Sequence, residues 1–344
     1  MSVSPELRNQ IMAQAQGATA LYTAFIGIAN PLLLTLAKGD GATPEALAGQ
    51  TGLDLGYVAR WCDAAFAFRY LEDVGGKLRI TDLGRAFLPE TLGTVMPFAV
   101  FPMLAAHMSE RAATFMKTGE RPGEKVLAER ESILPLFGSM LENTFGGMFE
   151  QQILPTVPAY QDTDQKGGIA VDLGCGNGWY LRKMAHRFPH LRGVGLDGFA
   201  ENITQATQLA RQDGFEDRLT FETGDIHQFT INEPVDLIAM NRALHHVWSE
   251  KENVFRILKE HLKPGGAAVI WEPNWPQTRA ELREPGKSGM ALSNLFEYVQ
   301  GNKFLRSEEI EAAFHQVDMD TQVHLFANGN EAVVVGRKRT SMPL

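Results

Sequence analysis

The residues best placed to do chemistry begin with Asp172, the one acid in the apolar run Ile169 to Leu173, and with Gly174, Gly176 and Gly178, which follow it at alternate positions. Glycine recurs where backbone must turn tightly and pass close to a ligand. The stretch therefore reads as a buried strand entering a binding turn and then the helix Trp179 to Arg187. Dinucleotide-binding loops use a different spacing, G-x-G-x-x-G, to lay a pyrophosphate on a helix N-terminus. An acid ahead of the first glycine would repel that group and suits a ligand carrying positive charge. Asp197, followed by Gly198, ends the next apolar run. Its carboxylate can accept both hydroxyl protons of a ribose, or it can cap the helix that starts near Phe199. Further on, His245 and His246 follow the apolar run Val235 to Met240. Imidazole is the natural general base for a hydroxyl or an enolisable carbon.

The run Val171 to Gly178 resembles the first motif of class I SAM-dependent methyltransferases, and the resemblance continues downstream in the expected order. It implies S-adenosylmethionine (SAM) as cofactor, held at Asp172, Gly174, Gly176 and Gly178, with Asp197 and Gly198 on the ribose. Gly224, Asp225 and Ile226 would lie at the adenine, the carboxylate accepting from the amino group and the isoleucine covering the ring. The backbone of Asn241 and Arg242 would hold the methionine amino group. The implied activity is methyl transfer to a small metabolite in specialised biosynthesis. Leu-His-His also occurs in this family as a structural loop, so both readings of the histidine pair stay open.

Three alternatives accompany that reading. Similar enzymes that C-methylate α-keto acids hold a metal through a histidine at this loop and another in the C-terminal part. Here Glu297 to Asn302 occupies the later region without a histidine, so no metal is expected, although Glu297 could stand in as a hard ligand. A second, smaller group cyclises SAM to azetidine-2-carboxylate and releases methylthioadenosine. Trp179 and Tyr180 can reach the methionine half of the cofactor, where aromatic faces attract a sulfonium, and Tyr180 with Asn143 as a partner for the nucleophilic amine would suit that chemistry. The third alternative is a non-catalytic SAM-sensing regulator.

The elements that must position these groups can be read in order. From Gly168 onward apolar runs alternate with helical patterns, the signature of a parallel sheet with crossover helices. Strands are expected at Ile169 to Leu173, Arg192 to Leu196, Leu219 to Glu222, Val235 to Met240 and Ala267 to Trp271, the last after a turn at Lys263 to Gly266. Two more, near Thr321 to Phe326 and Ala332 to Gly336, would close an antiparallel edge hairpin. The fold class is α/β, a Rossmann-like seven-stranded sheet spanning 161–344. Residues 1–100 read as an α-helical winged-helix domain: a long helical run from Leu7 to Ala37 bent at Gly17, Gly27 and Pro31, helices at Thr43 to Ala48 and Leu55 to Leu71, and a small hairpin around Gly75-Gly76. Residues 101–160 form a helical connector and lid in which Leu134 to Gln152 is a helix loosened by Gly146-Gly147, with Asn143 and Phe145 able to face the cofactor.

Composition narrows the partners. The chain has 344 residues, 44% apolar and 21% charged, enough for two domains. A formal charge of −9 argues against nucleic acid and anionic membrane, and the second helix of the winged-helix pattern sets Arg60 and Arg69 beside Asp63 and Glu72. No run approaches the ~18 uninterrupted apolar residues of a membrane span. Cys62 and Cys175 are too few for a disulfide framework, and no secretion signal opens the chain, so the cytoplasm is expected. The apolar N-terminal helices are expected to make a homodimer.

Overall fold

The first helix, Pro5–Ala29, ends at Asn30-Pro31 and runs through Gly17 and Gly27 without a break. A glycine costs a helix only about 1 kcal/mol, whereas proline lacks the N–H and disfavours helical backbone before it. Gly27 also has a packing role: a Cβ there would lie 2.6 Å from the Trp61 ring. Ser4, Thr43 and Asp54 cap the helices Pro5–Ala29, Pro44–Thr51 and Leu55–Ala67 through their side-chain oxygens. The last of these stops four residues earlier than the sequence pattern suggests, because Leu71–Val74 (β1) instead pairs antiparallel with Lys77–Ile80 (β2) across Gly75-Gly76.

The computed structural model describes residues 2–123, 125–129, 134–225 and 233–340. It divides into two compact units, Met1–Arg111 with Leu127–Thr144, and Ala112–Val126 with Phe145–Leu344. The first unit has its own core, in which Leu33, Leu47, Cys62, Ala65, Leu71 and Met96 are buried.

In the second unit, Ile169–Leu173 (β3), Arg192–Asp197 (β4), Leu219–Thr223 (β5), Val235–Asn241 (β6) and Leu262–Pro273 (β7) lie parallel. Met319–Phe326 (β8) and Glu331–Lys338 (β9) add the antiparallel edge. The spatial order is β5-β4-β3-β6-β7-β9-β8, so the chain reverses direction across the sheet between β3 and β6. Ligands of open α/β sheets bind outside the strands' carboxyl ends at such a point. Lys263 to Gly266 is an irregularity inside β7, where the register to β6 shifts, and not a turn before it. Alternation along each strand fills two cores: Ala170, Ala239, Val269 and Trp271 on one face, Val171, Leu173, Ile238 and Ile270 on the other. Both faces are covered, as a parallel sheet requires.

Candidate active site

At the end of β3 the chain turns through Gly174, Gly176 and Gly178 with φ of 76°, 54° and 73°, the left-handed region that favours glycine. Gly174 and Gly178 are also hemmed in, since a Cβ on them would meet Ala243 at 2.9 Å and Phe221 at 2.6 Å; at Gly176 the same direction is open space. The turn is pinned to the neighbouring strand by Asp197. One of its carboxylate oxygens accepts from Gly176 N at 2.9 Å, and the other accepts from Phe199 N and from the Asn202 amide. An ionised carboxylate offers about four acceptor positions, and three donors occupy it here, so one position is left for a ligand. Gly224 N donates to the Asp197 carbonyl at 3.0 Å, tying the end of β5 to that of β4. No side chain crowds Gly198, and Asp225 is exposed. Ile226 lies outside the described residues.

Asp172 is 1% exposed, and its Oδ1 has no hydrogen-bond partner. Burial first, and the Asp197 charge second, push its carboxyl up to about 8. On β6, which adjoins β3, Ala239 pairs with Asp172, so Asn241 points to the same face two residues further along. Asn241 Oδ1 is likewise buried without a partner. That face carries an aromatic cluster centred on Phe149, stacked on Tyr180 at 4.3 Å and on Trp271 at 5.8 Å, and edge-on to Tyr160 and Trp179. Two acceptors lacking donors beside aromatic rings suit a ligand with an ammonium and a sulfonium. The residues present fit SAM.

One of the sequence-derived roles needs correction. Tyr180 is 1% exposed, and its hydroxyl is bonded to that of Tyr160 at 2.5 Å. Both it and Trp179 belong to the core, where an aromatic body and a satisfied hydroxyl are buried together. The Arg242 side chain, as distinct from the backbone to which the resemblance gives a role, packs against aromatic rings. Its guanidinium lies 3.6 Å from the Phe145 ring centre and pairs with Glu331, which also accepts from the Trp271 indole. Phe145 thus packs beneath an arginine. Its neighbour Asn143 lies on the helix Leu134–Met148 in the first unit; that helix runs on through Gly146-Gly147 and passes into a π-helical turn at Phe149–Ile153.

The histidine pair sits on the turn Leu244–Glu250 with its rings 4.1 Å apart. His245 is 4% exposed; its Nδ1 is 2.7 Å from one Glu272 oxygen, and its backbone N–H donates to the other. Its Nε2 lies 3.6 Å from Glu297. Burial opposes a charged ring, but Glu272 and Glu297 outweigh it and push His245 up to about 10. His245 is therefore an imidazolium at neutral pH, and it holds the Glu297 carboxyl below its usual range despite burial. His246 is only partly buried, with its Nδ1 2.9 Å from the Asn302 amide nitrogen. One ligand atom each from His245, His246 and Glu297 falls within 4.8 Å of the others, the reach of a divalent cation. Both nitrogens of His245 face carboxylates, Nδ1 towards Glu272 and Nε2 towards Glu297. His246 is the less buried imidazole of the pair.

Sequence reasoning missed Glu272. An acid closing the apolar run of β7, as Asp172 stands in that of β3, was the available signal.

A family model described as a methyltransferase domain matches residues 164–329. Over 105 residues the chain is 37% identical to trans-aconitate 2-methyltransferase of Deinococcus radiodurans, covering 30% of this chain and 37% of that protein. The chain thus spans well under half the length of that curated relative. Across 99% of its length it superposes on an O-methyltransferase family protein from Burkholderia thailandensis, all of which is covered (TM-score 0.72, 15% identity). The human N-acetylserotonin methyltransferase, solved in complex with SAM, superposes over 99% of this chain and 100% of that one (TM-score 0.68, 18% identity). These two likenesses establish fold. Residues 164–329 thus match a methyltransferase-domain model, and the chain shares its fold with both superposed structures.

Proposed function

We propose that this protein is a homodimeric, cytoplasmic SAM-dependent methyltransferase acting on a small molecule. The observation that carries the reading is the convergence, at the strand ends beside the β3–β6 reversal, of the glycine turn, the Asp197 carboxylate and the unpartnered Asp172 and Asn241 oxygens. When bound, SAM supplies an electrophilic methyl group. The chain's own residues bind and orient it: Asp172 and Asn241 accept from its amine, Asp197 from its ribose, and the aromatic face excludes water. Alignment contributes most of the rate in such a displacement. His246 takes the acceptor's proton, while His245 is already charged and fixes Glu297 beside it.

The test is product analysis after incubation with SAM, alone and with phenols, amines and enolisable acids. S-adenosylhomocysteine should form only with an acceptor, and His246→Ala should slow it by about 10²- to 10⁴-fold. Methylthioadenosine formed from SAM alone would establish cyclisation instead.

Dimerisation is supported by the first helix, on which residues 5–17 are exposed in this chain and Leu7, Ile11 and Met12 are 50%, 56% and 52% exposed. Light scattering should give a dimer for the wild type and a monomer for the variant Leu7→Glu/Ile11→Glu. A wild-type monomer would overturn the assignment. The cytoplasmic placement rests on two buried, unpaired thiols, Cys62 and Cys175, and among the described residues no helix is long and apolar enough to cross a membrane.

A further inference from the structure

Asp172 differs from the other carboxylates at the strand ends in having nothing to hold its charge. Asp197 collects three N–H donors, and Asp236, at the other end of β6, takes Ile169 N and the Lys263 ammonium. Asp172 Oδ1 has no donor, although the side chain is almost wholly buried. Among the described residues, the titratable groups around it are neutral or negative: Tyr160 from the helix Pro158–Gln165, Tyr180 from the helix Trp179–Arg187, Cys175 in the glycine turn and Asp197 on β4. The hydroxyls of Tyr160 and Tyr180 are bonded to each other. A buried carboxylate with a second carboxylate on the adjoining strand and no cation in reach keeps its proton.

Resting on the reading of this pocket as the SAM site, we infer that the protein holds a proton on Asp172 when empty and releases it when the cofactor's cationic amine binds there. Proton and cofactor then compete for one oxygen. The carboxyl pushed up to about 8 by burial and by Asp197 places the exchange in the physiological range. The sign follows from linkage: the free form carries the extra proton, so affinity climbs as pH rises toward that value and levels off above it. Such a site takes up cofactor less readily in an acidified cell.

Calorimetry with S-adenosylhomocysteine on the full-length protein tests this, because that ligand has the amine but cannot react. At pH 6.5, titrations in two buffers of different ionisation enthalpy should report release of about one proton per ligand, and the dissociation constant should fall about tenfold per pH unit between pH 6 and 7.5. Asp172→Asn keeps the shape and removes the titration, so its proton release should vanish and its affinity should lose that slope. Titration of the ligand's own amine is common to both proteins and drops out of the comparison. Binding without proton release, or the same release from Asp172→Asn, overturns the inference and leaves the pocket assignment intact. Absence of binding by folded wild-type protein at every pH overturns both.

Discussion

Replacing Asp197 with alanine is expected to weaken SAM binding at least tenfold. The carboxylate holds Gly176 N at 2.9 Å, Phe199 N at 2.9 Å and the Asn202 amide at 3.0 Å while keeping an acceptor position for the ribose. Hydrogen bonds to a charged group contribute about 1.5 to 3 kcal/mol, and this substitution removes the ligand's bond together with the restraint that shapes the glycine turn. Asp197→Asn should fall between, since the amide retains one oxygen but cannot accept from both sides. Calorimetric dissociation constants decide it, with circular dichroism to verify folding. Unchanged affinity in Asp197→Ala would remove the residue from the site.

The largest effect on stability is expected from His245→Gln. Wild-type His245 places each ring nitrogen against a carboxylate, Glu272 and Glu297, at 4% exposure. Removing one partner of a buried ion pair costs about 3 to 5 kcal/mol, which for a chain of 344 residues lowers the melting temperature by roughly 4 to 7 °C. The pH dependence is specific. An unfolded histidine titrates near ~6.5, and in the folded protein His245 is pushed up to about 10. Its contribution is therefore complete below pH ~6.5 and is lost as pH rises through about 10. Melting temperatures of wild type and His245→Gln should differ most at pH 6 and converge toward pH 10. A difference that does not change with pH would mean the ring is neutral in the folded state.

Much of the fold is legible because its signals are local. Ile169 to Leu173 is an uninterrupted apolar run with one acid, bounded by glycines, and strand and turn fall where the pattern sets them. The edge hairpin and the helix Trp179–Arg187 behave likewise. The differences arise where tertiary contacts decide. Gly27 stays helical because packing of the buried face outweighs its modest propensity cost, and Gly17, on the exposed stretch, costs too little by itself to break a 25-residue helix. Tyr180 looks like a pocket residue by position, but its helix turns it onto Phe149 and Tyr160. Which histidine is clamped between carboxylates was not readable from Leu-His-His, because Glu272 lies 27 residues from His245 in the chain and Glu297 further still. The missing donors at Asp172 and Asn241 are invisible in sequence altogether, since only a packed structure shows what fails to reach an atom.

The central claim, that these strand ends hold SAM with its amine on the two unpartnered oxygens, is tested most directly by a crystal structure of the protein with S-adenosylhomocysteine. The account predicts the amine within hydrogen-bond distance of Asp172 Oδ1 and Asn241 Oδ1, with the ribose hydroxyls on Asp197. A ligand seated elsewhere, or one that turns its carboxylate toward Asp172, would contradict it.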